Sequence, residues 1–321
     1  MGGFVNKFFY DKCLDGIKDR NKNKFYEEKY NVSSDYYTYN DKRLAIMSDI
    51  HYHRHVDKEL YKLLVLYAME TNPDYIIMPG DQIETNAFLD SEEDKIFFER
   101  FIRSLVEICP VIMIPGNHEI HNLEVKTYFR KNSKENIKCI NYFESLNKIK
   151  NVYFLNNEQI NLDGINFMGF SPSIETYLKK GQRAIDKYLN DFIDADFIVN
   201  SDEYNVLLTH NSLPLTVNNT YKSVYEFHDT DLVISGHWHD GYLPKFMDKR
   251  FKDTKQGLFF YPLMNPHCGI TCRGIHDFER GKLFISQGFR TWNADIALFN
   301  LFERVCANDV EELTLTKKLK K

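Results

Sequence analysis

Aspartate, asparagine and histidine residues of the kind that bind divalent metal ions occur in five short groups along this sequence. In chain order, the groups are Asp49 and His51, Asp81, Asn117 and His118, His210, and His237 and His239. Carboxylate, amide and imidazole side chains are ligands for borderline or hard divalent ions such as manganese, iron, zinc or cobalt. The residue types therefore predict a metal centre assembled from distant parts of the chain.

This number of ligands is sufficient for two metal ions. A carboxylate has two oxygens and can bridge two cations. Two cations roughly 3.5–4 Å apart can hold a hydroxide between them and lower its pKa toward neutrality. Such a hydroxide can attack phosphorus in line while the cations offset the charge on the phosphoryl oxygens. The chemistry predicted from these side chains is the hydrolysis of a phosphate ester.

Each group comes directly after a short apolar stretch that we predict to be a buried strand. These stretches are residues 44–47, 75–78, 111–114, 204–209 and 231–235. Helical patterns over 57–70 and 91–108 alternate with the first three stretches. Continuously apolar strands that alternate with helices indicate an α/β sheet covered on both faces, which places ligands at the carboxyl edge of its strands. We therefore expect the five groups to meet at one edge of one sheet.

The remaining sequence gives a coarser prediction. Further strands are expected over 152–155, in a hairpin over 158–169 that turns at Asp163-Gly164, and near 258–262, 282–286 and 309–315, and a helix over 178–196. The last three strands should complete a second sheet. Residues 1–20 predict a short amphipathic helix, and the tyrosine-rich residues 30–39 predict an outer strand.

The order of the motifs resembles that of the calcineurin-like metallophosphoesterases. That family carries D-x-H, G-D-x-x-[DE], G-N-H-[DE], a single His and then G-H-x-H. The corresponding residues here are Asp49 with His51, Gly80–Glu84, Gly116–Glu119, His210 and Gly236–His239. The resemblance implies a four-layer α/β/β/α sandwich of two mixed sheets flanked by helices. It also implies an N-terminal extension over 1–40 and a metallophosphoesterase domain over 41–321, in which we expect the insertion 242–280 to form a lid.

Carried over position by position, the resemblance implies a role for each site residue. Asp49, His51 and His239 would bind the first metal ion, and Asn117, His210 and His237 would bind the second. Asp81 would bridge the two ions. His118 would not bind metal but would act as a general acid or donate to a phosphoryl oxygen. Glu84 or Glu119 would be its neighbouring carboxylate.

Two branches of the family differ from this chain at a diagnostic position. Protein Ser/Thr phosphatases carry Arg where Pro115 stands here, and purple acid phosphatases carry a Tyr ligand where Glu84 stands. The segment Gly281–Gly288 and the strand through Glu311 and Leu315 instead resemble the bacterial phosphodiesterase branch. The motifs leave the ester open, since phosphodiesters and phosphomonoesters are hydrolysed by the same chemistry.

Composition narrows the classes of function. The 321 residues are 43% hydrophobic, enough for one large core. The chain has 41 basic and 46 acidic residues and a net charge of −5, whereas nucleic-acid-binding proteins usually have a basic excess. The six cysteines form no C-x-x-C pair and predict free thiols in a reducing compartment. Charged residues interrupt the apolar runs of the first forty residues, so we expect a cytoplasmic protein without a membrane span.

Two other functions remain open. A nuclease of the same superfamily would need a basic groove and would bind DNA with steep salt dependence. An interaction protein could keep the fold without metal ions, although such proteins usually lose several ligands and this sequence has the full set. Three more histidines, His53, His55 and His121, lie near the motifs but outside their pattern, and we interpret them as surface or cleft-rim residues.

Overall fold

The computed structural model describes most of the strands and helices that surround the predicted metal ligands. The described residues are 25–34, 37, 41–53, 58–84, 88–121, 136–178, 182–212, 230–238, 273–277, 281–289 and 308–317. In this part of the chain, two six-stranded sheets pack face to face and helices cover their outer surfaces.

Twelve strands build the two sheets. They are β1 (Phe25–Ser34), β2 (Lys42–Ile46), β3 (Tyr75–Pro79), β4 (Val111–Ile114), β5 (Val152–Phe154), β6 (Glu158–Leu162), β7 (Ile165–Phe170), β8 (Tyr204–Thr209), β9 (Leu232–Ser235), β10 (Gly274–Asp277), β11 (Lys282–Ile285) and β12 (Asn308–Lys317). The first sheet has the order β1-β12-β2-β3-β4-β5, and the second has the order β10-β11-β9-β8-β7-β6. Strands β2 to β5 are parallel, as are β7, β8, β9 and β11, so each sheet has a block of strands whose carboxyl ends share an edge.

Six helices lie in the described residues. They are α1 (Lys58–Thr71), α2 (Glu92–Val106), α3 (Asn117–Ile120), α4 (Ile137–Ser145), α5 (Ile174–Leu178) and α6 (Gln182–Asp194). Helix α2 shows why such segments are helical: the Ser91 side chain accepts a hydrogen bond from the Asp94 N–H, and acidic residues fill the first turn. Among the described helices, none combines the length and the apolar composition needed to cross a membrane.

Alternation along the central strands explains why their sequences are continuously apolar. In β2, Leu44 and Ile46 face the second sheet, whereas Ala45 packs with the helices on the outer face. In β8, Val206 and Leu208 lie between the sheets, and Leu207 packs with α6 on the other side. A strand covered on both faces has no solvent side, so every position is apolar.

The structure confirms the predicted four-layer α/β/β/α class and corrects two details. Residues 309–315 belong to β12, which pairs with β1 and β2 in the first sheet, not in the second as predicted. The outer strand predicted in residues 30–39 is β1 and begins at Phe25. The predicted hairpin turns as expected, with Asp163 and Gly164 at positive φ. The predicted helix over 1–20 and strand near 258–262 lie outside the described residues, as does most of the 242–280 insertion, which contributes β10.

Candidate metal centre

The predicted ligands meet where the carboxyl ends of strands from both sheets face each other. Asp49, Asp81 and Asn117 follow β2, β3 and β4 of the first sheet, whereas His210 and His237 follow β8 and β9 of the second. The prediction that one sheet supplies all of them is therefore wrong. Two parallel blocks present their carboxyl edges to the same cleft, because the sheets pack face to face.

Asp81 lies at the centre of the cluster. Its Oδ2 atom is 3.0 Å from His210 Nε2, 3.7 Å from His51 Nε2 and 3.8 Å from His118 Nε2. Its Oδ1 atom accepts a hydrogen bond of 2.9 Å from the His118 N–H. The ligand atoms of Asp81, His210 and His237 lie within 4.8 Å of one another, as do those of Asp81, His51 and His118. One carboxylate is thus shared by two groups that could each hold a metal ion.

Asp49 joins the cluster from the side of β2. Its Oδ1 atom is 4.0 Å from His210 Nε2, and both of its carboxylate oxygens accept from the His237 N–H, at 3.0 and 3.1 Å. The Ser48 hydroxyl also donates to Asp49. His237 Nδ1 lies 3.2 Å from His210 Nε2, so the two histidines from the second sheet face each other across the same space.

Neighbouring groups fix the orientation of the imidazoles. His210 Nδ1 is 2.8 Å from the Pro79 carbonyl and donates to it, which directs Nε2 toward Asp81. His118 Nδ1 donates to the Glu84 carbonyl at 2.6 Å, which likewise directs Nε2 into the cluster. The Glu84 carboxylate lies 2.9 Å from His51 Nδ1 and 4.0 Å from His118 Nδ1. Its side chain is therefore closer to the predicted ligand His51 than to His118.

Glu119 ties two of the motif loops together. Its carboxylate is fully buried and accepts hydrogen bonds from the N–H groups of Gly116 at 2.7 Å, Ile83 at 2.9 Å and Asp81 at 3.0 Å. Such a carboxylate holds the backbone on both sides of Asp81. Glu119 is thus connected to Asp81 through the backbone, whereas the Glu84 carboxylate lies 4.0 Å from His118 and 2.9 Å from His51, so neither glutamate forms a close ion pair with His118.

The backbone at several predicted ligands is in the left-handed region. The φ angles are 53° at Asp49, 41° at His51, 53° at Asp81 and 74° at His237. Five other non-glycine residues of the described chain share a positive φ, and all of them are Asn or Asp, which tolerate it. Histidine is also found in this region more often than most residues, and the surrounding contacts hold His51 and His237 there.

Close packing at Gly80 shows how tightly the loops fit. Gly80 has a φ of 97°, and a Cβ atom there would lie 2.8 Å from Gly116 Cα and would overlap the His210 ring. A side chain at residue 80 would therefore displace His210 from Asp81. Glycine is required here for both conformation and space.

The charges in the cluster are balanced between carboxylates and imidazoles. Burial lowers the pKa of His210, but the Asp81 and Asp49 carboxylates outweigh it and raise the pKa to about 9. Burial likewise lowers the pKa of His51, and Glu84 with Asp81 raises it to about 9. Although burial opposes it, His210 and His118 hold the pKa of Asp81 well below its usual range. Burial and the adjacent His210 lower the pKa of His237 to about 3.

These residues fit a pair of divalent ions. Asp49 and Asp81 are 0% and 2% exposed to solvent. Buried carboxylates of this kind are costly unless positive charge lies beside them. Protons on the imidazoles or divalent ions can supply that charge, and metal binding releases such protons. Asn117, at the start of α3, is 4% exposed and precedes His118 in the same turn. The remaining predicted ligand, His239, lies outside the described residues.

Tyr177 and His121 lie beside the cluster, although neither was predicted to be part of it. Tyr177 on α5 has its ring centroid 6.1 Å from His237 and 5.5 Å from His121. His121 is 6% exposed, so its interpretation as a surface or rim residue is wrong. Trp238 is buried against β7 and α6, and its ring centroid lies 5.3 Å from that of His237. Tyr177 follows no motif, so only the fold could reveal it.

Comparison with solved structures gives low-scoring matches, three of which are a phosphatase, a nucleotidase and a nuclease. A dimetal phosphatase from Danio rerio aligns with a TM-score of 0.38 and 11% identity, over 77% of this chain and 87% of that one. The Haemophilus influenzae NAD nucleotidase aligns with a TM-score of 0.42 and 11% identity, over 77% and 45%. A Pseudomonas putida nuclease aligns with a TM-score of 0.34 and 10% identity, over 79% of each chain. At these TM-scores, the likeness supports no conclusion about activity.

Relatives in sequence are bacterial metallophosphoesterases. An uncharacterized metallophosphoesterase of Campylobacter jejuni is 24% identical over 84% of this chain and 59% of its own length. An uncharacterized metallophosphoesterase of Helicobacter pylori is 25% identical over 64% of this chain and 46% of its own length. The chain therefore spans about half the length of these relatives.

The model of one protein family matches the part of the chain that carries the cluster. It is described as calcineurin-like phosphoesterase and matches residues 42–241, more than half of the 321 residues. The match extends from β2, which precedes Asp49, to just beyond His239. With this match, the chain belongs to the calcineurin-like phosphoesterase family.

Proposed function

We propose that the chain is a phosphoesterase that uses two divalent metal ions to hydrolyse phosphodiesters or phosphomonoesters. One observation carries the proposal. Asp81 belongs to both groups of possible ligand atoms that lie within 4.8 Å of one another, one with His51 and the proposed proton donor His118 and one with His210 and His237, as expected of a carboxylate between two ions. When bound, the two ions supply an activated water and positive charge for the phosphoryl oxygens.

The proposed ligands divide between the two ions as the family pattern implies. Asp49, His51 and His239 would hold the first ion, and Asn117, His210 and His237 would hold the second, with Asp81 shared between them. The distances support the placement of His210 and His237 together, since their ring nitrogens are 3.2 Å apart on one side of Asp81. Manganese, iron, zinc and cobalt all suit these ligands.

His118 is the proposed proton donor. Its Nδ1–H is held by the Glu84 carbonyl, so the Nε2 atom is the one that faces the cluster. From Nε2 the protonated imidazole gives a proton to the leaving-group oxygen, or a hydrogen bond to a phosphoryl oxygen. The imidazole is 5% exposed, so its environment excludes most bulk water and keeps the donor in one orientation.

The test compares two chromogenic esters after controlled metal loading. The full chain is stripped of metal, reloaded with manganese, and assayed with bis-p-nitrophenyl phosphate and p-nitrophenyl phosphate. We expect two manganese ions per chain and manganese-dependent release of nitrophenol. Faster turnover of the diester would identify a phosphodiesterase, and faster turnover of the monoester would identify a phosphomonoesterase.

A negative result would be equally informative. Two bound manganese ions without turnover of either ester would exclude a general phosphoesterase. A chain that bound no manganese would support the alternative of an interaction protein with the same fold. Cleavage of single- or double-stranded DNA in the same metal-loaded sample would reassign the activity to the nuclease class.

A further inference from the structure

A turn that follows β11 closes over the segment that carries Asp49. Ser286, the first residue after β11, donates its N–H to the Ser235 carbonyl at 2.8 Å. Phe289, at the end of the turn, donates its N–H to the Ser48 carbonyl at 3.1 Å. The turn 286–289 therefore joins the end of β9 in the second sheet to the residue before Asp49 in the first.

Gly288 brings this turn into direct contact with Asp49. The residue has a φ of 70°, and a Cβ atom added there would lie 2.8 Å from Asp49 Cβ and 3.0 Å from Asp49 Oδ2. The backbone of the turn thus packs against the side chain without a gap. This contact confines the Asp49 carboxylate from one side, while the Ser48 hydroxyl and the His237 N–H donate to it.

The turn is held from the C-terminal strand by one buried carboxylate. Glu311 of β12 is fully excluded from solvent, and its Oε1 atom accepts from the Gln287 N–H at 2.7 Å. Its Oε2 atom accepts from the Ser286 hydroxyl at 2.8 Å, and that hydroxyl accepts from the Gly288 N–H at 3.2 Å. Both oxygens of Glu311 therefore act on the turn that contacts Asp49.

A second contact comes from the outermost strand. The Gln287 side chain donates to Glu28 on β1 at 2.9 Å, and β1 pairs along its whole length with β12. Glu311 lies opposite Ile46 in the register of β12 with β2, three residues before Asp49. The strands that hold the turn are thus fixed to the strand that carries the ligand.

From these contacts we infer that Glu311 is a positioning residue for the first metal-binding position, acting on Asp49 through the turn 286–289. The inference rests on the proposed function, because it takes Asp49 as a metal ligand. It assigns a role to β12, which lies outside the region 42–241 that the family model matches. The C-terminal strand is then part of the metal centre, although none of its residues touches the ions.

The experiment measures manganese binding to the metal-free full chain by isothermal titration calorimetry. The variants are Glu311→Ala, Glu311→Gln, Ser286→Ala and the control Glu312→Gln. Asp49→Ala identifies which of the two binding phases belongs to the first position. Glu312 is adjacent on β12 and nearly as buried, with an 8% exposed side chain, but it pairs with Lys29 at 3.8 Å instead of with the turn.

We expect Glu311→Ala to weaken the Asp49-dependent phase by about 10- to 100-fold, the usual effect of removing a group that orients a ligand, and to leave the other phase unchanged. Glu311→Gln should bind nearly as the wild type does, because its carbonyl oxygen can accept from Gln287 and its amide can donate to Ser286. Ser286→Ala should weaken the same phase by a smaller factor. Glu312→Gln should leave both phases unchanged.

Three outcomes would overturn the inference. The first is wild-type affinity in both phases for folded Glu311→Ala, even with a lowered melting temperature, since that is a purely structural effect. The second, decisive if Glu311→Ala does not fold, is wild-type affinity in both phases for Ser286→Ala. The third is a wild-type chain that binds no manganese, which refutes the proposed function as well. Two bound ions without ester hydrolysis would refute only the proposed reaction and leave the affinity comparison valid.

Discussion

Replacing Glu119 should lower the free energy of unfolding of the metal-free protein, because its buried carboxylate accepts three backbone hydrogen bonds. Three buried N–H groups, of Asp81, Ile83 and Gly116, donate to its carboxylate. A buried donor left without an acceptor costs about 1–3 kcal/mol. Three such donors would cost about 3–9 kcal/mol, and because water can enter the space we expect Glu119→Ala to lower the free energy of unfolding by the lower part of that range, about 3–6 kcal/mol.

Glu119→Gln offers a graded version of the same change. Oε2 serves both Asp81 and Gly116, and Oε1 serves Ile83. The amide keeps one oxygen and replaces the other by a donor. If its oxygen takes the place of Oε2, only the Ile83 N–H loses its acceptor, and we expect a decrease of about 1–3 kcal/mol. Urea unfolding of the metal-free protein, followed by circular dichroism, measures the free energies of unfolding.

The matched control is Glu144→Ala on α4. Glu144 is exposed, so its removal should change the free energy of unfolding by no more than about 0.5 kcal/mol. A Glu119→Ala variant as stable as Glu144→Ala would refute the reasoning, because the three N–H groups would then not depend on this carboxylate. Equal losses for Glu119→Ala and Glu119→Gln would show that charge, not the number of acceptors, decides the effect.

Three further predictions concern the proposed proton donor His118, the proposed shared ligand Asp81, and the contribution of Asp191 to stability at acid pH. His118→Asn should keep both manganese ions and lower turnover of the diester by about 10²- to 10⁴-fold. Asp81→Asn should weaken both binding phases in calorimetry, whereas Asp163→Asn at the far end of the sheets should change neither. Asp191→Asn should flatten the loss of stability at acid pH, measured by melting between pH 2.5 and 7 at about half-unit steps.

The sign of the Asp191 prediction follows from its contacts. Burial raises the pKa of Asp191, but hydrogen bonds from Lys187 and Ser173 outweigh it and hold the pKa below its usual range. A carboxylate with a lowered pKa in the folded state stabilises the protein above about pH 4, and this contribution is lost as the pH falls through the folded-state pKa. We expect about 1 kcal/mol, allowing for partial solvent screening. If Asp191→Asn lost as much stability as the wild type between pH 7 and pH 2.5, the prediction would be contradicted.

Each of the other two predictions also has a contrary outcome. Full diester turnover by His118→Asn would remove this residue from the proposed role of proton donor. Loss of a single binding phase in Asp81→Asn would mean that Asp81 binds one ion and does not bridge two.

The strands that position the metal centre were predictable because both faces of their sheets are covered. Runs such as 75–78 and 111–114 are apolar at every position, and the polar ligands begin where the runs end. The positions of the candidate ligands were predictable for the same reason, since each motif marks the end of a strand, whereas their roles as ligands come from the family resemblance and remain a prediction. The sequence could not predict which sheet supplies each candidate ligand, because a parallel strand with two covered faces has the same apolar pattern in either sheet.

The contacts around the ligands were harder to predict. Strand β12 alternates apolar and polar residues in a way that fits the edge of either sheet, so its pairing depends on contacts with β1 and β2, which are distant in sequence. The sequence does not show that Glu311 is buried, and the structure shows that its carboxylate accepts from the turn 286–289. Tyr177 reaches the cluster because Asp191 fixes the start of its helix through Ser173 and Thr176.

The left-handed backbone at two predicted histidine ligands has a consequence for the selection of stable variants. At His51 and His237 the chain adopts a conformation that costs a residue with a Cβ atom about 1–2 kcal/mol. Asparagine or glycine would relax this strain, and each would also remove the imidazole of a predicted ligand. If the proposed roles hold, a search for variants that resist heat would select proteins with weakened metal binding at these positions. Thermal selection should thus be paired with a metal-binding screen.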